Sequence, residues 1–135
     1  MKTRGFEVVK EYYDKEIHIP VRKTKFSAAY DIEAAEDIVL PSFQKGMKPT
    51  LIPTGLKAYM QSDEVLLIVP RSSGPKKQGI TFPHNFIQCI NLKDEDVLIK
   101  KGDTVGQAFF QKYLIADQDT SDGVRAGGFG STDQV

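Results

Sequence analysis

The chain has 135 residues, and 18 Lys and Arg balance 18 Asp and Glu, so the formal net charge is zero. That length fits one domain, and 40% apolar residues supply a core, which excludes a disordered charged tail protein. A zero balance also argues against sequence-independent nucleic-acid binding, though local clusters can still serve a small anion.

Strand signals dominate from the N-terminus onward. Phe6 to Lys10 is the first short β-prone run. Ser27 to Asp37 follows, with Tyr30 and Asp31 set among small residues. In isolation it reads as a strand carrying a surface acid. Further strands are expected at Ile38–Leu40, Leu51–Tyr59 and Val65–Val69. Turns fall at Pro41-Ser42, Lys45-Gly46 and Gln61 to Asp63.

Pro70-Arg71-Ser72-Ser73 then leads into Gly74 to Gly79. Two hydroxyls, an early proline and a closing glycine predict one short helix over 72–79. A helix start offers free N–H groups, and Arg71 adds a forked donor, so this segment is a candidate anion site. The alternative is an ordinary cap beside a solvated arginine.

Phe86–Leu92, Val97–Ile99 and Val105–Leu114 are the last expected strands. The turns Lys93 to Asp96 and Lys101 to Asp103 separate them. Gln107 could donate its amide to a phosphate oxygen, though in isolation Gly102 to Gln107 reads rather as a turn entering a hairpin strand. Many short strands at this spacing predict an all-β sandwich, jelly roll or barrel.

The chain turns polar at Asp117, and four of its eleven glycines lie from Gly123 on. This divides it into a β domain over 1–116 and a flexible Gly-rich arm over 117–135. Within the arm, Arg125, Ser131 and Thr132 suit phosphate, Phe129 offers a face to a ring, and glycines such as Gly130 permit close backbone approach; the alternative is a disordered tail that docks Phe129 on its own domain.

A single cysteine, Cys89, excludes an intrachain disulfide and points to a reducing, cytoplasmic setting. It reads as a core residue, since no nucleophile–base order accompanies it. His18 and His84 stand isolated, without metal-ligand spacing. No signal peptide is expected, and the longest apolar run, Val65–Val69, is too short to span a bilayer.

Four segments, in order, resemble the trimeric dUTPase family. They are Ala29 to Asp37; Arg71-Ser72-Ser73 with Lys77 and Gly79; Gly102 to Gln107; and Arg125 to Thr132. The resemblance implies a distorted jelly-roll with one short helix, assembled as a homotrimer. It implies Mg²⁺-dependent hydrolysis of dUTP to dUMP and pyrophosphate, with water attacking the α-phosphorus. It gives Asp31 a supporting role toward the metal, through water, while the triphosphate itself carries the Mg²⁺. Arg71, Ser72, Ser73 and Gln107 would bind phosphate. Arg125, Ser131 and Thr132 would clamp it, with Gly130 beside them. Phe129 would stack on uracil as the arm closes over a neighbouring subunit. No nucleic acid or membrane partner is implied.

The family's third motif, a hairpin carrying the aspartate base, is missing: matching flanks join directly at His84 and Asn85. The spacing from Arg125 to Phe129 is one residue shorter than the family's commonest form, and Asp133 stands where glycine is usual. Three readings follow. The chain is an active dUTPase whose gene encodes a hairpin absent here; or a non-catalytic nucleotide-binding or regulatory protein of the same fold; or a dCTP deaminase-like enzyme.

Overall fold

The computed structural model describes residues 2–46, 48–71, 80–81 in their backbone, and 88–123. Ten strands alternate with turns: β1 Gly5–Val8, β2 Tyr30–Glu33, β3 Ile38–Leu40, β4 Thr50–Leu51, β5 Leu56–Tyr59, β6 Glu64–Val69, β7 Ile80–Thr81, β8 Gln88–Asn91, β9 Val97–Ile99 and β10 Thr104–Lys112. They pair antiparallel throughout, as β1-β5, β2-β10-β6, β3-β9 and β4-β8-β7. The expected all-β architecture is therefore observed.

Two expected strands are redrawn. β1 stops at Val8 rather than Lys10: the Val9 N–H still donates to the Gly55 carbonyl at 2.8 Å, the next position of the β1–β5 register, but the chain coils from Lys10 onward and leaves the ladder. A 3₁₀ turn at Lys10–Tyr12 follows. The run Leu51–Tyr59 is two strands, not one. Pro53 lacks a ladder donor and Gly55 adopts φ +68°, so the chain bends between β4 and β5. A second 3₁₀ turn occupies Phe43–Lys45. The short helix expected over 72–79 lies outside the described residues.

The core gathers one face of each sheet. Leu40, Cys89 and Ala108 are fully buried, joined by Ile32, Ala34, Ile52, Ile99 and Val105. Phe6, Tyr30 and Phe110 form an aromatic cluster beside it, with ring centroids 5.4 to 6.4 Å apart. Period-2 alternation then dictates where the rest of β2 goes. Tyr30 and Ile32 face inward, so Asp31 and Glu33 face away from the core.

One irregularity positions the site. β10 opens against β2 with Thr104 opposite Glu33, yet Gly106 stands opposite Ile32. The extra residue, Val105, is a β-bulge, and it reaches the core along with Ala108. Beyond the bulge the register is shifted by one, which brings Gln107 opposite Asp31.

Candidate active site

Asp31, Gln107 and Val69 are register partners in one row across β2, β10 and β6. Paired residues of an antiparallel ladder share a face, so the carboxylate and the amide project together. β6 ends at Val69, and Pro70 and the half-buried Arg71 continue from the same row. The Gln107 side-chain amide donates a long hydrogen bond to the Pro70 carbonyl, at 3.4 Å. Two of the residues singled out in the sequence thus converge by register, Asp31 and Gln107, and Arg71 follows two residues after their row partner Val69. Ser72, Ser73, Arg125, Phe129, Gly130, Ser131 and Thr132 lie outside the described residues, as does His84.

Asp31 is not the surface acid its sequence suggests. Its side chain is 17% exposed, and its backbone N–H donates to the Val21 carbonyl at 3.0 Å. That bond lays residues 18–23 along the open edge of β2, which protects the edge from pairing with another chain. The same segment brings Lys23 to 3.6 Å from the Asp31 carboxylate. Nothing in the sequence marks Lys23, since a lysine in a polar loop has no motif around it. His18 is likewise not isolated: its Nδ1 lies 3.0 Å from Glu33.

A cleft of about 580 Å³ opens beside this row, lined by residues that include Lys23, Asp31, Glu33 and Thr104. Its chemistry suits a charged ligand, with two carboxylates on one strand and a cation on the facing loop. Among the described residues no group of three or more His, Cys, Asp or Glu could hold a metal ion by itself. Cys89 takes no part. It is buried among apolar neighbours, and burial pushes its thiol up to about 12.

The geometry so far defines an all-β protein with a carboxylate and an amide paired in one row, and an arginine two residues beyond the row's third member. Comparison with known proteins narrows the class. The dUTPase family model matches residues 15–133. The deoxyuridine 5'-triphosphate nucleotidohydrolase of Lactococcus lactis is 46% identical, covering 98% of this chain and 99% of that protein. Crystallised dUTPase from Streptococcus mutans superposes with a TM-score of 0.74 at 34% identity, over 84% of this chain and 98% of that one. A dUTPase from phage phi11 of S. aureus, with a structural Mg(II) ion, gives a TM-score of 0.70 over 90% and 98% of the two chains. At 17% identity it shows the shared fold alone. The chain belongs to the dUTPase family.

The Lactococcus alignment stretches over 152 positions, while 98% of this 135-residue chain is about 132 residues, so about 20 positions of that protein have no counterpart here.

Proposed function

We propose that this chain hydrolyses dUTP to dUMP and pyrophosphate by water attack on the α-phosphorus. Family membership supports the reading, and one observation carries it to the residues: the row of Asp31 and Gln107 that runs on into Arg71. Transfer of a phosphoryl or nucleotidyl group requires positioning and charge neutralisation more than covalent chemistry by the protein. Gln107 and Arg71 donate to phosphate oxygens, with Ser72 and Ser73 following in the chain. The tail residues Arg125, Ser131 and Thr132, with Gly130, close on the terminal phosphates, and Phe129 stacks on the base.

The donor set fits Mg²⁺. This hard cation keeps several waters and takes one or two carboxylates plus substrate phosphates, rather than an all-protein cage. Asp31 is the carboxylate in the row, and it would hold the ion through a water. Bound there, Mg²⁺ would neutralise triphosphate charge.

The working unit is a homotrimer in this reading. Leu114 is 97% exposed and Ile115 70%, at the point where the chain leaves β10. Apolar residues so placed suit cover by a neighbouring subunit. Among the described residues no helix is long and apolar enough to cross a membrane. A lone, buried cysteine fits a reducing cytoplasm.

The test is pyrophosphate release from dUTP by the purified chain with Mg²⁺. Turnover supports the reading, and its absence from the full gene product would sink it. A second reading rests on the gap of about 20 positions against the Lactococcus protein. If the gene itself lacks the hairpin, the chain is a nucleotide-binding or regulatory protein without its base. It would then bind an uncleavable dUTP analogue and release no pyrophosphate. Ammonia release from dCTP would instead favour a deaminase.

A further inference from the structure

Among the described residues the ion partner of Asp31 is Lys23, with Nζ 3.6 Å from Oδ2. The two side chains differ in exposure, 17% for Asp31 and 62% for Lys23. The carboxylate is fixed on the sheet, while the ammonium reaches back to it from solvent. The loop that carries Lys23 is itself well tied. The Asp31 N–H donates to Val21, and the Arg22 guanidinium donates to the carbonyls of Lys25 at 2.8 Å and Ser27 at 3.0 Å. Backbone position is therefore set, and the lysine stem is left free to swing.

An ion pair this open contributes little to stability, so it is not accounted for as scaffold. Its place in the cleft offers a better account. Asp31 and Glu33 both line it, and a polyphosphate entering there meets two negative charges. Glu33 faces His18, and Asp31 faces Lys23. Lys23 is the permanent cation on that wall.

We infer that Lys23 is a phosphate-binding residue. In the free protein it neutralises Asp31. When a nucleoside triphosphate binds, its ammonium moves to a non-bridging phosphate oxygen and releases Asp31 toward the hydrated cation. The inference rests on the dUTP reading above and assigns that site a residue outside the four motifs.

The experiment is calorimetric binding of the α,β-imido analogue of dUTP in EDTA, so that no metal contributes. Wild type, Lys23→Met, Lys23→Arg and Lys23→Glu are compared, with a thermal melt of each. Lys23→Met should weaken binding about three- to tenfold, Lys23→Glu more, and Lys23→Arg should bind near wild type. Equal affinity of Lys23→Met and wild type would overturn the assignment, whether or not the melting temperature falls. No binding by wild type would overturn the dUTP reading itself, and this assignment with it.

Discussion

Gln107 stands opposite Asp31 because Val105 bulges out of the ladder two residues earlier. Continued without the bulge, the register would set Gly106 against Asp31 and turn Gln107 toward the core side with Tyr30. One inserted residue thus turns the amide from the core side to the face of Asp31, where the proposed site lies; bulges often serve this use beside active sites. Replacing Gln107 with Leu keeps the shape and removes the donor. A lost hydrogen bond to a charged phosphate should raise KM for dUTP about tenfold or more, with little change in melting temperature. Asp31→Asn should instead lower Mg²⁺-supported turnover about 10- to 100-fold, the size expected for the proposed outer-shell role toward the metal. Steady-state pyrophosphate release at varied dUTP and Mg²⁺ separates the two effects.

Asn91 ties the β8–β9 turn to the core. Its side-chain amide donates to the carbonyls of Leu40 at 3.1 Å and Glu95 at 2.7 Å, and its carbonyl accepts the Lys93 N–H at 2.8 Å. The residue is 3% exposed. Asn91→Ala leaves these backbone groups short of partners in a dry place, so it should cost about 2–4 kcal/mol. Urea denaturation would show this as a lower midpoint with the slope unchanged.

What the sequence disclosed follows from how local each feature is. Ile38–Leu40 and Val97–Ile99 are strands at their expected bounds, since short β-branched runs between turns admit little else. Asp31, Gln107 and Arg71 are singled out by the resemblance of their segments to the family's motifs, since taken alone the Asp31 and Gln107 segments read as an ordinary strand and turn. The pairing of Asp31 with Gln107 was not legible, because the bulge shows only once β10 is paired with β2. Tyr30 and Asp31 looked like one polar pair, yet they face opposite sides of the sheet. Lys23 gave no signal, since its meaning comes from the carboxylate 3.6 Å away. Proline and glycine after Ile52 did signal the break in Leu51–Tyr59, but the surrounding apolar run masked it.

Gly55 is the closest fit in that break. Its φ is +68°, and an added Cβ would lie 2.9 Å from Tyr12 Cγ. The Tyr12 ring cannot swing aside cheaply, because its hydroxyl donates to Glu36 at 2.7 Å. Gly55→Ala meets both the left-handed backbone penalty and the clash, so it should destabilise by about 1–3 kcal/mol. Gly46, at φ +100° with open space around it, is the control and should lose less on the same substitution. Thermal melts of the two variants side by side make the comparison.

Acid should weaken the fold chiefly through Glu64, whose side chain is 4% exposed, while the more exposed Asp63 and Asp96, also held below their ordinary values, contribute less. Glu64 is lowered by the Gln61 N–H at 2.9 Å and by Arg4 at 2.8 Å. Lys112 lowers Asp63, and Lys45 with the Ser42 N–H lowers Asp96. Depressed carboxyl values mean the unfolded chain binds protons first. The stabilisation is full above the ordinary values of 3.8 for Asp and 4.5 for Glu, and is lost as pH falls through the lower folded values. Glu64→Gln should melt below wild type at pH 6, and the two should converge as pH drops well below 4.5. A gap that persists unchanged into strong acid would show that the Glu64 charge is not responsible.

Cys89 offers a probe of the core rather than of the chemistry. It is fully buried in β8, and burial raises its thiol to about 12. Thiolate is the reacting form, so at pH 8 both the proton equilibrium and the packing oppose attack by a thiol reagent. Native protein should leave Cys89 unmodified by Ellman's reagent over the time in which guanidinium-unfolded protein reacts to completion. Cys89→Ala removes the sulfur and leaves a small cavity, at a cost of about 1–2 kcal/mol. Turnover of dUTP at temperatures well below the melt should be unchanged in that variant, because the thiol is buried in the apolar core. Loss of turnover in a folded Cys89→Ala protein would show that the core residue has a catalytic part after all.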